Sequence, residues 1–305
     1  MYSVTTVSGA DLAGCSGFMS LAYANLLTRP ELWPRFIVTG ATLSGMLIGA
    51  ALTEITDNSR RARLCSVNVL SNYRRRGVGS ALLEAAEDQA SQRNCSAIYA
   101  NLIQNNLPPP AEICTLLQKR DWTHPQARGV ICETDFATVS QAPWMKHHKI
   151  ASGCELQLWT ELSDEERICL RQRMHQNSWF PEVISPFDHE ERIVAKTSLA
   201  LRCSGTIVGW CIFHRVNSST TECASLVVVP ELQGRGDAIT LLARGIELHR
   251  DLPGHKKFIF DIGFDKEAMM RFFHRRLVRY LTSVRTVYCS TKNLAGSNSG
   301  EEHSA

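Results

Sequence analysis

Residues 72–83 read NYRRRGVGSALL, and residues 231–242 read ELQGRGDAITLL. Each passes from an apolar stretch, through a short loop of arginine and glycine, into residues spaced like one face of a helix. Widened to 69–83 and 228–242, the two segments share five of fifteen positions at an offset of 159: Val, Arg, Gly and a Leu-Leu pair. A second echo lies upstream, SGMLIGAAL at 44–52 and SGTIVGWCI at 204–212, at an offset of 160. Two blocks kept in order at nearly one offset mark an internal duplication, the first thing to seek in a sequence. The 305 residues are therefore read as two copies of one fold, each of about 150 residues, an ordinary domain size.

Each copy reads as a mixed α/β sequence in which several strands precede the first crossover helix. In copy one, strands are predicted near 2–7, 35–42, 46–55, 63–69, 97–102 and 129–136, with helices near 11–27, 79–92 and 111–120. In copy two, strands are predicted near 155–159, 198–203, 206–215, 221–229 and 257–262, with helices near 163–177, 238–249 and 266–276. Ser163 followed by Glu166 is a capping box for the first of these helices. The boundaries follow: a domain over 1–139, a linker over 140–153 around Pro143, a domain over 154–289, and a Gly/Ser/Asn-rich tail over 290–305 read as disordered.

Composition narrows the function. Hydrophobic residues make up 44% and charged residues 21%, as in an ordinary globular chain, and the net charge is only +3. The arginine run is thus local, which argues against a nucleic-acid partner, since that role needs a broad basic stripe. No secretory leader or membrane-spanning stretch is visible, and the expected location is cytoplasmic. The eleven cysteines contain no Cys-x-x-Cys spacing. They are expected to be reduced and mostly buried, and no metal site is expected. The neighbouring His147 and His148 read as a solvated pair in the linker.

An apolar strand, a basic glycine loop and a helix start make a site for an anion. A helix N-terminus offers free N–H groups and a positive dipole end, and glycine lets a phosphate approach the backbone. The Walker pattern is absent, and a Rossmann loop would need glycine where Leu82 stands. What remains is Arg74-x-x-Gly77-x-Gly79, matched by Gln233-x-x-Gly236-x-Ala238.

This pattern, twice between a strand and a helix, resembles motif A of the GNAT N-acetyltransferase superfamily. The resemblance covers nearly the whole chain as a tandem of two GNAT-like domains, each a mixed, mostly antiparallel central sheet flanked by helices. It implies acetyl-CoA as acyl donor. The strand ends at Val67 to Val69 and Leu226 to Val228 would meet the pantetheine and thioester. The loops Arg74, Arg75, Arg76, Gly77, Val78, Gly79, Ser80 and Gln233, Gly234, Arg235, Gly236, Asp237, Ala238, Ile239 would cradle the pyrophosphate.

The resemblance also implies a base, a glutamate eleven residues before the residue that opens the loop. That position is Glu222 in copy two and Arg63 in copy one. The tyrosine that commonly serves as general acid is missing: Leu117 stands there in copy one, and Phe272 or Phe273 in copy two. His274 is near in sequence but reads as an exposed or paired helix residue. Asp237 stands beside the presumed pyrophosphate where copy one has Val78, and Pro108 to Pro110 replace a helix-opening asparagine in copy one. Copy one has the better cradle and copy two the better base, so one active and one degenerate domain are expected, with the choice open. The stretch from Trp179 to Glu190, with Asp188 and His189, would suit a cationic amine acceptor. The expected function is acyl-CoA-dependent transfer to the amine of a small or amino-acid-like molecule. The alternative is an acyl-CoA-binding pseudoenzyme that senses or scaffolds. The sequence carries no signal for an oligomeric state.

Overall fold

The structure is a computed structural model and describes all residues except 57–59, 106, 147–148, 177–184, 255 and 295–305. The chain forms two compact units, one of residues 1–128 with 287–305 and the other of residues 129–286. The first contains β1 (Ser3–Val7), α1 (Leu21–Leu27), β2 (Phe36–Leu43), β3 (Met46–Thr56), β4 (Arg61–Val69), α2 (Val78–Gln92), β5 (Ala97–Gln104) and α3 (Ala111–Gln118). The chain continues through β6 (Gln126–Asp135), α4 (Phe136–Val139), β7 (Cys154–Leu158), α5 (Asp164–Gln176), β8 (Leu199–Cys203) and β9 (Thr206–Arg215). It ends with β10 (Thr220–Val228), α6 (Asp237–Arg250), β11 (Lys257–Gly263), α7 (Glu267–Phe272) and β12 (Ser283–Asn293).

Strand order in the first unit is β1-β2-β3-β4-β5-β12, and in the second β7-β8-β9-β10-β11-β6. Within each, the first four strands pair antiparallel, and the step to β5 or β11 is parallel. The sixth position is where the halves trade. The second unit takes β6, which pairs antiparallel with β11 from Lys257↔Asp135 to Gly263↔Gly129. The first unit takes the end of β12, where Thr291 and Ser290 hydrogen-bond Thr123 and Leu294 bonds Ser96.

The duplicated SG blocks are the β2–β3 and β8–β9 turns. Ser44 and Gly45 sit at φ 51° and 80°, and Ser204 and Gly205 at 50° and 80°. Both central residues with positive φ make the two-residue turn that fits a right-handed strand twist. Each sheet buries both faces. Along β2, Phe36 and Val38 join the α1 side with Leu12 and Leu52, whereas Ile37 joins the α2 side with Leu83 and Ile98. In the second unit Trp159, Trp210 and Ile212 lie with Leu170 of α5, and Phe213, Leu241, Ile246 and Phe258 fill the other side. The Ser163–Glu166 capping box forms in both directions, at 2.8 and 3.2 Å.

Several features depart from the sequence reading. The stretch around Pro143 is not a solvated linker: Trp144 and Met145 are buried in the second unit's core, because their side chains complete its apolar face. His147 and His148 lie outside the described residues. The tail begins as strand β12, with Ser290 and Leu294 buried, and only 295–305 lie outside the described residues. Cys154 and Cys203, cross-strand partners on β7 and β8, form a disulfide, which corrects the expectation of fully reduced cysteines. Two cysteines 49 residues apart become neighbours only through strand register. The helix expected over 11–27 is a 3-10 stretch at Gly9–Phe18 followed by α1. No helix among the described residues is long and apolar enough to cross a membrane.

Glu87 ties the first unit together. This buried carboxylate on α2 accepts from Arg120 Nη2 and Trp122 Nε1, both at 2.8 Å, and from Lys292 Nζ of β12 at 2.6 Å. Removing one member of a buried ion network strands the others and costs about 3–5 kcal/mol. Glu87→Ala is therefore expected to lower the first unit's free energy of unfolding in urea by that amount, read as a fall in the midpoint. An unchanged midpoint would show that β12 is held without it.

Candidate active site

In each unit the site begins with one extra residue. The β3–β4 register passes from Leu52↔Ser66 to Thr53↔Leu64, which leaves Cys65 bulged. The β9–β10 register passes from Ile212↔Ser225 to Phe213↔Cys223, which leaves Ala224 bulged at the matching place. A bulge bends its strand and disrupts pairing locally. Accordingly, the parallel ladders stop at Leu64↔Ala100 and Glu222↔Ile259, though β4 runs on to Val69 and β10 to Val228. The strand ends that include Val67, Val69 and Val228 therefore turn one backbone edge away from the ladder.

The loops that follow are built alike. Arg75 and Gly77 have φ of 60° and 83°, and Gly234 and Gly236 have φ of 80° and 94°. Gly77 and Gly236 are the N-caps of α2 and α6, and neither helix start has a side-chain cap. The first helical bonds run from Ala81 N–H to the Gly77 carbonyl and from Thr240 N–H to the Gly236 carbonyl. The N–H groups of Val78, Gly79 and Ser80, and of Asp237, Ala238 and Ile239, have no helical acceptor. No atom lies within 4 Å of where a Cβ would stand on Gly234 or Gly236, and on Gly77 it would meet only the Tyr2 hydroxyl, at 3.3 Å. These cups fit a diphosphate.

Arg74 and Gln233 take a role the sequence does not disclose. Arg74 Nε donates to the Val69 carbonyl at 2.9 Å, and Gln233 Nε2 donates to the Val228 carbonyl at 3.0 Å. Both clamp the loop to the strand end. Arg76 lies over the Tyr73 ring at 5.9 Å. Its counterpart Arg235 instead turns to Asp237, with Nε 3.6 Å from Oδ2. The Asp237 side chain is buried, as Val78 is, and its Oδ2 has no hydrogen-bond partner.

On the α1 and α5 faces, just before the bulges, the units differ in charge. In the first, Glu54 and Arg63 are register partners joined at 2.5 Å, and Arg35 adds a second contact to Glu54 at 3.1 Å. Tyr23 hydrogen-bonds Cys65, and burial raises both the phenol and the thiol. In the second, the same two places hold His214 and Glu222, with Arg192 3.6 Å from the Glu222 carboxylate. His189 meets His214 edge-on at 6.2 Å. Sequence reasoning reached Arg63 and Glu222 but missed Glu54, Tyr23, Cys65 and His214. The 160-residue offset of the SG blocks, extended along β3 and β9, pairs Glu54 with His214 and would have found both.

Other expected places sort plainly. Leu117 and Phe273 are buried core residues, Phe272 packs on Trp144, and His274 is exposed. Glu190 is held by Arg167 at 2.6 Å and Arg171 at 3.6 Å, so its charge is already matched. Trp179 to Ile184 lie outside the described residues. Among the described residues no three His, Cys, Asp or Glu side chains converge as metal ligands.

The comparisons agree with this geometry. The profile described as the acetyltransferase (GNAT) family matches residues 16–108 and 157–277, well over half of the chain. A tandem GNAT protein from the clavulanic acid biosynthesis pathway superposes with a TM-score of 0.69 at 16% identity, over 98% of this chain and 100% of that one. A GCN5-related glucosamine N-acetyltransferase region of a fungal multi-domain β-N-acetylglucosaminidase gives 0.66 at 15% identity, over 96% of this chain and 38% of that one. A GCN5-related N-acetyltransferase from Sphaerobacter thermophilus gives 0.61 at 14% identity, over 96% of both. No curated protein sequence matches the chain. At these identities the likeness is one of fold.

Burial, with Arg192 and His189 near it, pulls His214 from 6.5 down to about 4. The unfolded chain then binds the proton more readily than the folded one. The stability this contributes is complete above pH 6.5 and is lost as pH falls toward 4. A displacement of that size corresponds to about 3 kcal/mol. The second unit's urea midpoint is expected to fall across that window, and His214→Gln is expected to flatten the fall.

Proposed function

We propose, for a chain that belongs to the acetyltransferase (GNAT) family and is an N-acetyltransferase, that acetyl-CoA is the acyl donor and that the first unit holds it. The observation that carries this reading is the paired cup. Each strand edge freed by a bulge leads into a clamped loop with two left-handed residues and an uncapped helix start. Backbone groups at Val67 and Val69 would line the pantetheine arm. The N–H groups of Val78, Gly79 and Ser80 would face the diphosphate, flanked by the Arg75 and Arg76 side chains. Bound there, the thioester supplies an activated acyl carbon. Transfer to an amine forms an N–C bond and breaks the C–S bond, and the proton that leaves nitrogen is matched by one gained by the thiolate.

The first unit is favoured over the second by one substitution. Val78 is apolar beneath its helix start, whereas Asp237 places a buried carboxylate beneath the other. That charge offsets the positive end of the helix dipole and draws Arg235 to it, which disfavours a second anion at that helix start. A second reading puts the chemistry at Glu222, whose side chain is about one-third exposed at the position of a strand-borne base. A cytoplasmic location is the part of the reading that the Cys154–Cys203 disulfide opposes, since such bonds are rare in reducing compartments.

Calorimetric titration with acetyl-CoA is expected to give one equivalent per chain. Gly77→Val should weaken it more than tenfold, and Gly236→Val should leave it unchanged. Asp237→Val should add a second equivalent. Two equivalents in the unaltered chain would end the assignment to the first unit. Glu222→Gln is expected to leave amine-dependent thiol release within twofold, and a hundredfold loss would move the chemistry to the second unit. Alkylation of the unreduced, denatured chain should label the nine free cysteines and spare the disulfide pair.

A further inference from the structure

We propose that the acceptor amine belongs to a molecule that also carries a carboxylate, and that Arg63 receives that carboxylate beside the bulge of β4. The proposal rests on the donor lying in the first unit, and its argument is the charge that unit gathers on its α1 face.

Arg63 stands on β4 just before Cys65 and presents its side chain, about one-third exposed, beside Glu54. Its Nη2 is held there by Glu54 Oε2, and its buried Nε–H has no hydrogen-bond partner among the described residues. A guanidinium carries five N–H donors, so donors remain. Past the bulge on the same strand, the buried Ser66 Oγ also has no hydrogen-bond partner among the described residues. Glu54 is shared with Arg35, and Arg61 of the same strand lies 4.9 Å over Tyr99, the residue across from Arg63 on β5. This place thus gathers Arg35 and Arg63 on Glu54, with Arg61 over the neighbouring Tyr99. Tyr23 on α1 and Tyr99 on β5 supply neutral walls.

Such a cluster disfavours an acceptor that is cationic alone. It favours one whose carboxylate can form a forked, charge-assisted pair with guanidinium. Four steps of strand lead from Arg63 to Val67, the start of the strand end proposed for the donor, and span about 13 Å. The long Arg63 side chain and a small amino acid would bridge that span together, with the carboxylate on the guanidinium and the amine toward the thioester. The same arginines act on the amine, because nearby positive charge lowers the pKa of an ammonium. The nucleophile then loses its proton to water more readily, at a place where the Glu54 carboxylate is already paired with Arg35 and Arg63. The matching place in the second unit offers Glu222 and a buried neutral His214, the opposite chemistry. A basic residue at the base position thus becomes a specificity-determining one.

The test uses the full chain with acetyl-CoA and follows thiol release. Acceptors are supplied as pairs, each amino acid beside its own carboxamide, at a pH where both amines are unprotonated. The carboxylate member of the preferred pair is expected to have a kcat/KM at least tenfold above its carboxamide. Arg63→Gln should erase that ratio mainly through KM, and Arg63→Lys should restore part of it, with acetyl-CoA affinity unchanged in both. Carboxamides used as well as carboxylates would overturn the proposal, as would a ratio that survives Arg63→Gln. So would a chain that binds acetyl-CoA in the first unit yet consumes no carboxylated acceptor, which leaves the donor site standing. Failure to bind acetyl-CoA at all would remove the donor site as well.

Discussion

The extra residue in β4 and β10 is the constraint from which the rest of the molecule follows. Without Cys65 or Ala224 each strand would stay zipped to its parallel neighbour along its whole length. With it, the ladder ends after Leu64 or Glu222, and the last turns of strand keep one edge of N–H and carbonyl groups outside the sheet. Unpaired backbone is costly when buried, so such an edge must meet solvent or a ligand. The clamp from Arg74 or Gln233 to the strand's last carbonyl then fixes where the loop begins. Two left-handed residues bring the helix start back over the freed edge. Only after these steps does a basic sequence such as Arg74 to Arg76 have a place to act.

The parts legible in the sequence are those whose physics is local. The Ser-Gly turns need positive φ at adjacent residues, and the loops need glycine at fixed offsets from a helix start, so both leave a signature that repeats. The capping box at Ser163 and Glu166 is local in the same way. The features missed are set by pairing over long separations. The end of β12, from Ser290 on, reads as the start of a disordered tail because its strand edge is completed by residues around Thr123, far earlier in the chain. The Cys154–Cys203 bond exists only in the register of β7 and β8. Glu54 is unremarkable in sequence and becomes a buried charge centre only when Arg35 and Arg63 are folded against it.

Exchange of the sixth strand links the two halves of the chain during folding. Neither half can complete its own sheet from its own contiguous residues, because β6 serves the second unit and the end of β12 serves the first. Glu87 enforces this in the first unit: its carboxylate is buried on α2 and matched by Arg120 from nearby and by Lys292 from the end of the chain. A first half made alone would bury that carboxylate with part of its partners missing. The contact order this imposes favours slower folding than two independent domains would show.

The two copies hold two cups and two polar pairs, and they differ at one position of each. Val78 against Asp237 sets whether the space beneath the helix start is neutral or already anionic. Arg63 against Glu222 sets whether the strand presents a cation or a carboxylate beside the bulge. The two changes run in opposite senses. The unit with apolar Val78 beneath its helix start has a basic residue at the strand, and the unit with Glu222 at the strand has the buried Asp237 beneath its own. A site with both an apolar residue under its helix start and a strand carboxylate would need no arginine to recognise its acceptor. Neither copy holds that combination. In the unit proposed to bind the donor, Arg63 would serve recognition of the acceptor, and the acceptor itself would supply the negative charge that the strand lacks.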